Sequence, residues 1–283
     1  MTMVYAAAGD VGTVAWYRAN IARVAARTDV SSAELVRMLE DVRTRLRDRA
    51  LNGAAGEANA AWARAMLREV ESEIGRLTGQ MHATLSRHFL ETMQAADASV
   101  LETARAASST AFLGFGGVSP DLIDFASQDS ADLVRQITTG LRGQLNRTLR
   151  LAATGAVPIE DVARSIGETL TDANRNPGIF GRVATQVERV LRTETGRLYE
   201  GATAARVDRV TQDAGLVAEK GWIATRDSRT RDSHWELNGT WIGRDEKFDV
   251  NGWAADGPLD PALPAEEAVN CRCTLGYRFR EAA

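Results

Sequence analysis

The residues whose side chains could bind a metal or act as acid and base lie toward the C-terminus, between Trp222 and Cys273. Cys271 and Cys273 are the only two cysteines of the chain, and His234 is one of three histidines. Thiolates and imidazoles are the usual ligands of zinc, and His and Asp are common general acid–base residues. This stretch therefore offers either a metal site or an acid–base site.

The two thiols are predicted to point the same way, because Cys271 and Cys273 lie at i and i+2 on a segment that alternates like a strand. A disulfide between them would close a strained, very small ring, so we discount it. One hypothesis is a zinc ion held by both thiolates and His234, with Asp227 or Asp232 as the fourth ligand. The other is a pair of reduced, buried cysteines that act as small apolar side chains.

Charged side chains crowd the same stretch at Asp227, Arg229, Arg231 and His234. Asp227 and His234 could form an acid–base pair, but no nucleophile motif accompanies them, so a structural polar cluster is favoured. Glu194 joins this predicted cluster, because it falls on the apolar stripe of a helix, where a carboxylate is costly unless paired. Arg229 or Arg231 would supply its cation; otherwise Glu194 lies at the edge of the stripe and reaches water.

Three arginines, Arg272, Arg278 and Arg280, share one face of the predicted final strand. They could contact DNA phosphates, although a solvated sheet face is the favoured interpretation. The formal net charge of -4 argues against a general polyanion binder, since nucleic-acid domains usually carry a basic excess.

The composition limits the class of protein and its cellular compartment. A hydrophobic fraction of 44% and a charged fraction of 25% are typical of a soluble globular protein. Two cysteines do not make a disulfide framework, which favours a reducing cytosol. The start of the chain lacks a signal-peptide pattern, and no apolar run is long enough to cross a bilayer, so we expect a soluble protein with no membrane partner.

The elements that must position these residues are mainly helices. Apolar spacing predicts a helix over 13–27, a second helix started by a Ser31–Glu34 capping box, and a long helix over 57–111 with a heptad-like seam. Glycines at 113–118 predict a boundary between an N-terminal helical region, 1–117, and a second region, 118–283. Helices are predicted to fill 120–213 of the second region, as one or two helices over 122–151, another over 158–170 and a long one over 179–213 after a turn at 174–178. The fold class is mainly α with a small C-terminal α+β unit.

Strand-like alternation is confined to residues 216–283. Trp222 and Ala224 indicate a short strand, and Asn238-Gly239 is the residue pair favoured in tight hairpins. Residues 251–266 are rich in Gly, Pro and Asp and are predicted to form an irregular loop. The final strand then carries both cysteines on its apolar face.

A set of residues in fixed order gives the second region a family resemblance. They are Arg192-Thr193-Glu194, Trp222, Asp227-x-Arg229-Thr230-Arg231-x-x-His234, Leu237-x-Gly239, Phe248, Pro258, Asp260-Pro261 and Asn270-Cys271-Arg272-Cys273. In this pattern the chain resembles the phage Mu protein F-like family of minor head proteins, also called the phage head morphogenesis domain. The resemblance covers residues 120–280 and is strongest from Arg192 onward.

The resemblance implies a minor structural protein inside the head of a tailed phage, acting in head assembly and in genome packaging or delivery. Its implied partner is the portal protein, with the major capsid or scaffold protein as further candidates. The heptad-like seam, which could be internal or between chains, adds other copies of the chain as expected partners, and the three arginines add packaged DNA. Its implied location is the virion interior, with the host cytoplasm during assembly. No catalytic role is carried over, so a non-enzyme is expected; the alternative is a metal-dependent hydrolase or nucleotide-modifying enzyme that uses His234 and Asp227.

Overall fold

Long helices followed by a small sheet make up the chain, which confirms the predicted fold class. The computed structural model describes residues 8–53, 59–107, 118, 120–170 and 175–281. The helices are α1 (Ala8–Gly53), α2 (Asn59–Ala107), α3 (Pro120–Ala153), α4 (Ile159–Ile166), α5 (Gly178–Ala214), α6 (Asp232–Glu236) and α7 (Ala265–Ala268). The strands are β1 (Leu216–Ile223), β2 (Trp241–Gly243), β3 (Phe248–Val250), β4 (Trp253–Ala255) and β5 (Thr274–Glu281).

The chain divides into two compact units, each drawn from separate stretches of sequence. The helical unit contains residues 29–88 and 125–190, and the mixed unit contains the described parts of 1–28, 89–124 and 191–283. The predicted boundary at 113–118 lies outside the described residues except for Val118. The division into 1–117 and 118–283 stays a prediction, and the compact units follow a different division.

The heptad-like seam of α2 is buried within the chain. In the helical unit Val70, Ile74, Leu77, Met81 and Leu85 are all at most 3% exposed. Such a seam is a packing surface for neighbouring helices of the same unit. The seam residues are therefore covered within the chain, and self-association through other faces of the long helices stays a prediction.

The predicted capping box at Ser31 is wrong, because α1 continues through it. Ser31 Oγ lies 3.1 Å from His88 Nδ1, and the Glu34 carboxylate accepts hydrogen bonds from Thr84 and Arg87. Ser31 and Glu34 thus contact side chains of α2 and do not cap free amides of their own helix. His88 is a packed helix residue and is 1% exposed.

The helix predicted over 158–170 is shorter than expected. It ends at Ile166 because Gly167 adopts φ +108°, a conformation that side chains disfavour. A Cβ at Gly167 would lie 2.4 Å from the carbonyl oxygen of Pro177, so the close approach also requires glycine. The single helix α3 replaces the one or two helices that the sequence allowed over 122–151.

The mixed unit contains an antiparallel three-stranded sheet in the order β2-β1-β5. Trp222 pairs with Leu275, and Gly221 pairs with Gly276. A Cβ on Gly221 would lie 2.5 Å from the Trp241 ring, so this glycine makes room for the indole. The sheet buries Trp222 in the core of the unit together with residues such as Val207 of α5.

The hairpin prediction identified the right dipeptide at the wrong place. Asn251 and Gly252 both have positive φ, 53° and 86°, and they join β3 to β4 as a tight hairpin turn. Of the predicted pair only Gly239 has positive φ, and the segment before it forms α6 and a turn. Part of the predicted irregular loop at 251–266 is therefore a hairpin strand.

The final strand begins later than predicted. β5 starts at Thr274, so both cysteines precede it in an irregular segment, although both remain buried. Thr274, the first residue of β5, is also buried, and its hydroxyl donates to the Glu200 carboxylate at 2.6 Å. Among the described helices, none is both long and apolar enough to span a membrane.

Candidate functional site

His234 occupies the middle of the short helix α6 and packs against the ring of Trp222. The Trp222 ring meets it edge-on at a centroid distance of 5.0 Å, and Trp222 packs in the same way on Phe248 at 5.4 Å. Trp222 comes from β1, so the sheet fixes one wall of the histidine pocket. Only 1% of His234 is exposed, which means that its ring nitrogens must find protein partners or a bound ion.

The two cysteines reach this histidine from the segment between α7 and β5. Asn270 has φ +59° and its backbone N–H donates to Thr193 Oγ1 at 3.3 Å, which turns the chain inward just before Cys271. Cys271 is 4% exposed and Cys273 is 5% exposed, and neither forms a disulfide. The sequence thus predicted their common burial correctly, but a loop achieves it rather than a strand.

The imidazole and the two thiols form a compact triangle, which we call the His–Cys cluster (His234, Cys271 and Cys273). His234 Nδ1 lies 3.4 Å from the sulfur of Cys271 and 3.5 Å from that of Cys273. All three potential ligand atoms lie within 4.8 Å of one another. One ring nitrogen therefore faces both sulfurs at nearly equal distance.

The other ring nitrogen faces a carboxylate that the sequence did not single out. Nε2 of His234 lies 3.1 Å from Glu267 Oε2, and Glu267 is itself buried. Ser233 donates to the same oxygen at 3.0 Å, while Asn251 donates to Oε1 at 3.4 Å. The Nε2–Oε2 distance is that of a hydrogen bond, but the ring N–H is not aimed directly at the oxygen.

The electrostatics of the thiols follow from their proximity. The hydrogen bond from Cys271 lowers the pKa of Cys273, burial opposes this shift, and the contact with the His234 imidazole lowers the pKa further. Donating that bond, together with burial, raises the pKa of Cys271. One sulfur is therefore predisposed to carry negative charge beside the imidazole.

The surrounding motif residues connect this cluster to its neighbours. Arg231 donates to the carbonyl oxygen of Val269 at 2.8 Å, and Thr225 donates to that of Arg272 at 2.7 Å. Arg272 also binds the Asp227 carboxylate with both terminal nitrogens, at 2.5 and 2.7 Å. This guanidinium holds the pKa of Asp227 well below its usual range. The polar residues around the cluster fix the cysteine loop in place.

The predicted single polar cluster is divided in the structure. Glu194 is partly buried and lies 2.9 Å from Arg197, one turn along its own helix, so its cation is local. Arg231 serves the cysteine loop instead, and Arg229 lies 4.0 Å from Asp227. Glu194 is at the edge of its stripe, which is the alternative that the sequence left open.

The enzyme alternative requires Asp227 and His234 to act as one acid–base pair. In the structure the two residues have different partners and different environments. Asp227 is exposed and bound by Arg272, whereas His234 is buried beside Glu267. The predicted fourth metal ligands are not with the cluster either, because Asp232 is exposed and neither aspartate belongs to the close ligand set.

The three arginines of the predicted DNA face have different environments. Arg272 pairs with Asp227, Arg278 stacks over the Trp241 ring at 3.6 Å, and Arg280 is exposed. Two of the three side chains are therefore engaged within the protein, and DNA contact stays a prediction.

A second buried carboxyl was missed by sequence analysis. Glu200 retains some exposed surface as a residue, but its carboxylate turns inward to the Thr274 hydroxyl and the Leu275 N–H. Burial raises its pKa to about 8. The available signal was its position on α5 next to the buried Tyr199 and close to Leu198.

Comparison with known proteins places this arrangement in a family. Residues 148–276 match the family model described as Phage Mu protein F like protein. That stretch contains the whole His–Cys cluster, Glu267 and the connecting polar residues. The resemblance inferred from the sequence is thereby confirmed over residues 148–276, which are similar to the phage Mu F-like family.

Three curated proteins share parts of the chain. Minor head protein GP7 of Bacillus phage SPP1 is 28% identical over 42% of this chain and 40% of its own length. The uncharacterized protein YqbB of Bacillus subtilis is 33% identical over 31% of this chain and 30% of its own length. An NAD(+)–arginine ADP-ribosyltransferase, EFV, of Enterococcus faecalis is 38% identical over 31% of this chain and only 18% of its own length.

The chain thus spans less than half of each of these relatives. No solved structure matches it.

Proposed function

We propose that this protein is a minor structural protein of a tailed-phage head. The observation that carries the proposal is the match of residues 148–276 to the Phage Mu protein F like family, together with the likeness to a phage protein named as a minor head protein. The site geometry agrees with a structural role. Its motif residues mostly bind one another and the backbone of the cysteine loop.

We further propose that the protein lies inside the head and associates with the portal. In this proposal the portal protein is the first partner, and the major capsid protein, the scaffold protein and packaged DNA are further candidates. Self-association remains a candidate, but it must use surfaces other than the buried seam of α2.

The proposal is tested in the phage or prophage that encodes the chain. Mass spectrometry of purified particles is expected to find its peptides at low copy number in heads, protected from external protease. Co-purification of the full chain with portal protein, and not with an unrelated phage tail protein, is the expected binding result. A protein that is absent from both proheads and virions would contradict the head assignment, whereas presence without portal binding would contradict only the portal assignment.

The enzyme alternative has less support from the geometry. A hydrolase that used His234 and Asp227 would need both groups to face one substrate, but each is held by a different partner. The ADP-ribosyltransferase named among the relatives shares only 18% of its length with this chain, so its activity carries no weight here. His234→Ala separates the hypotheses: a structural role predicts reduced incorporation into heads, and an enzyme predicts normal incorporation with a lost reaction.

A further inference from the structure

We propose that His234, Cys271 and Cys273 bind one zinc ion, which serves as a structural centre of the mixed unit. Nδ1 of the histidine and both sulfurs are the ligand atoms. The proposal is independent of the head assignment, because it rests only on this site.

The distances fit a zinc tetrahedron. Zinc binds sulfur at about 2.3 Å and nitrogen at about 2.0–2.1 Å, so tetrahedral angles set the edge between S and N at about 3.5 Å. The observed distances from Nδ1 to the sulfurs are 3.4 and 3.5 Å. A ring nitrogen has only one lone pair, so Nδ1 can accept from only one thiol although both sulfurs lie close to it. A single cation between the three atoms satisfies all of them.

The carboxylate behind the histidine is the second observation. A metal-bound histidine almost always directs its other ring N–H at a carboxylate, carbonyl or water, which fixes the tautomer. Glu267 occupies that position, 3.1 Å from Nε2. Its own oxygens are held by Ser233 and Asn251, so the carboxylate is oriented before any metal arrives. With the proton on Nε2, beside the Glu267 carboxylate, Nδ1 presents its lone pair to the sulfurs.

The charge balance also favours a metal. A buried thiolate is costly without a countercharge, and two adjacent thiolates are more costly still. A zinc ion with two thiolates and a neutral imidazole has no net charge. Binding follows a balanced step: each thiol that is protonated releases its proton to solvent as its Zn–S bond forms, and Nδ1 donates its lone pair.

The same three groups are poorly placed for covalent catalysis. A cysteine–histidine–glutamate triad needs a nucleophile that a substrate can reach. The groove next to this region is lined by Ser233, Asn251 and Glu267, and neither cysteine lines it. Burial of both thiols therefore supports a structural ion rather than a reactive cysteine.

The fourth position of the tetrahedron goes to a small donor, for which water is the simplest choice. Among the residues that the structure describes, the close ligand set contains only the His–Cys cluster. Three protein ligands with water in the fourth position is the arrangement of catalytic zinc sites, whereas structural sites usually have four protein ligands. The burial of His234, Cys271 and Cys273, which keeps a substrate away from the ion, is what assigns this site a structural role. Here the ion would join α6, which follows β1, to the loop that leads into β5.

Metal analysis of the full chain tests the proposal directly. The protein is purified under reducing conditions, stripped with a chelator, and reloaded with zinc or with cobalt(II) as a spectroscopic substitute. We expect one zinc per chain, proton release on binding, and the charge-transfer absorption of cobalt–thiolate bonds. Reduced, folded wild-type protein that retains no zinc and shows no such absorption overturns the proposal, even where variants fail to fold.

Matched variants assign the ligands. His234→Ala and the pair Cys271→Ser with Cys273→Ser are expected to abolish binding, while His82→Ala, a change on α2, keeps it. Glu267→Gln is expected to weaken zinc binding about 10- to 100-fold in competition with a chelator, as outer-shell changes do. Glu236→Gln, an exposed change on α6, is its control. Unchanged binding in the double cysteine variant would overturn the assignment, as would fast alkylation of both thiols in zinc-loaded wild type.

Discussion

The helical unit and the mixed unit bury their polar groups in different ways. In the helical unit the buried Glu73 is reached by Arg45 from α1 and by Arg76 one turn along α2. In the mixed unit the buried His234 depends on residues from β1, α7 and the cysteine loop. Regular helices thus supply partners at predictable spacing, whereas the mixed unit depends on the exact course of its loops.

The largest effect is expected in the apolar seam of the helical unit. Leu77 is fully buried there. Leu77→Ala should lower the free energy of unfolding by about 2–5 kcal/mol, because it removes buried methyl groups and leaves a cavity. Urea denaturation followed by circular dichroism measures the change. A loss below about 1 kcal/mol would mean that the seam can collapse around the cavity and is not a rigid packing surface.

An intermediate effect is expected where a loop of the mixed unit is held by one charged hydrogen bond. Arg231→Met removes the donor to the Val269 carbonyl and keeps much of the side-chain volume. We expect a loss of about 1.5–3 kcal/mol, the range for hydrogen bonds to charged groups. In metal-free protein, the two cysteines should also react faster with an alkylating reagent. Arg229→Met is the control, since Arg229 is exposed. Equal alkylation rates in the two variants would contradict the loop-holding role of Arg231.

A pH-dependent effect is expected from the buried carboxyl of the mixed unit. The pKa of Glu200 is raised to about 8 from its model-compound value of 4.5, mainly by burial. The folded state then binds the proton more tightly than the unfolded state, so this group stabilises the fold at low pH. Its contribution declines as pH rises from 4.5 to about 8, by up to about 1.4 kcal/mol per pH unit.

Glu200→Gln keeps an acceptor for the Thr274 hydroxyl and removes the titration. The difference in unfolding free energy between wild type and this variant should therefore shift in favour of the variant as pH rises through that interval. Denaturation curves at several pH values measure it. Parallel pH profiles of the two proteins would show that the carboxyl does not titrate in this range.

The smallest effect is expected at an exposed ion pair of the helical unit. Arg135 lies 2.6 Å from Asp132, but both side chains are about 70% exposed, at 72% and 69%. Arg135→Ala should change stability by less than about 0.5 kcal/mol, because water and salt screen the attraction. A larger loss in urea denaturation would mean that surface charge contributes more to this unit than its apolar seam suggests.

The sequence predicted the helical unit more fully than the mixed unit, for physical reasons. Helical periodicity is local, so the seam from Val70 to Leu85 could be recognised from spacing alone. Asn238-Gly239 and Asn251-Gly252 have the same sequence, so the dipeptide alone does not show which pair forms the hairpin. The pairing of β3 with β4 decides it. The alternation of Phe248 and Val250 before Asn251 was the overlooked signal.

The sequence predicted the candidate ligands of the site but not the residue that orients one of them. Cys271, Cys273 and His234 are scarce residue types with recognisable zinc chemistry, and the structure brings them together. Glu267 lies in a four-residue helix between loops, where no periodicity indicates which side chain turns inward. Its contact with His234 arises only once the tertiary fold is formed.

The edge-on contact between Trp222 and His234 has an optical consequence. Indole emission is sensitive to a neighbouring imidazolium or metal centre, and these two rings are 5.0 Å apart. Trp222 is fully buried, so quenchers dissolved in the solvent reach it poorly. The protein thus carries an intrinsic fluorescent reporter beside the His–Cys cluster, and the difference between wild type and Trp222→Phe isolates its signal.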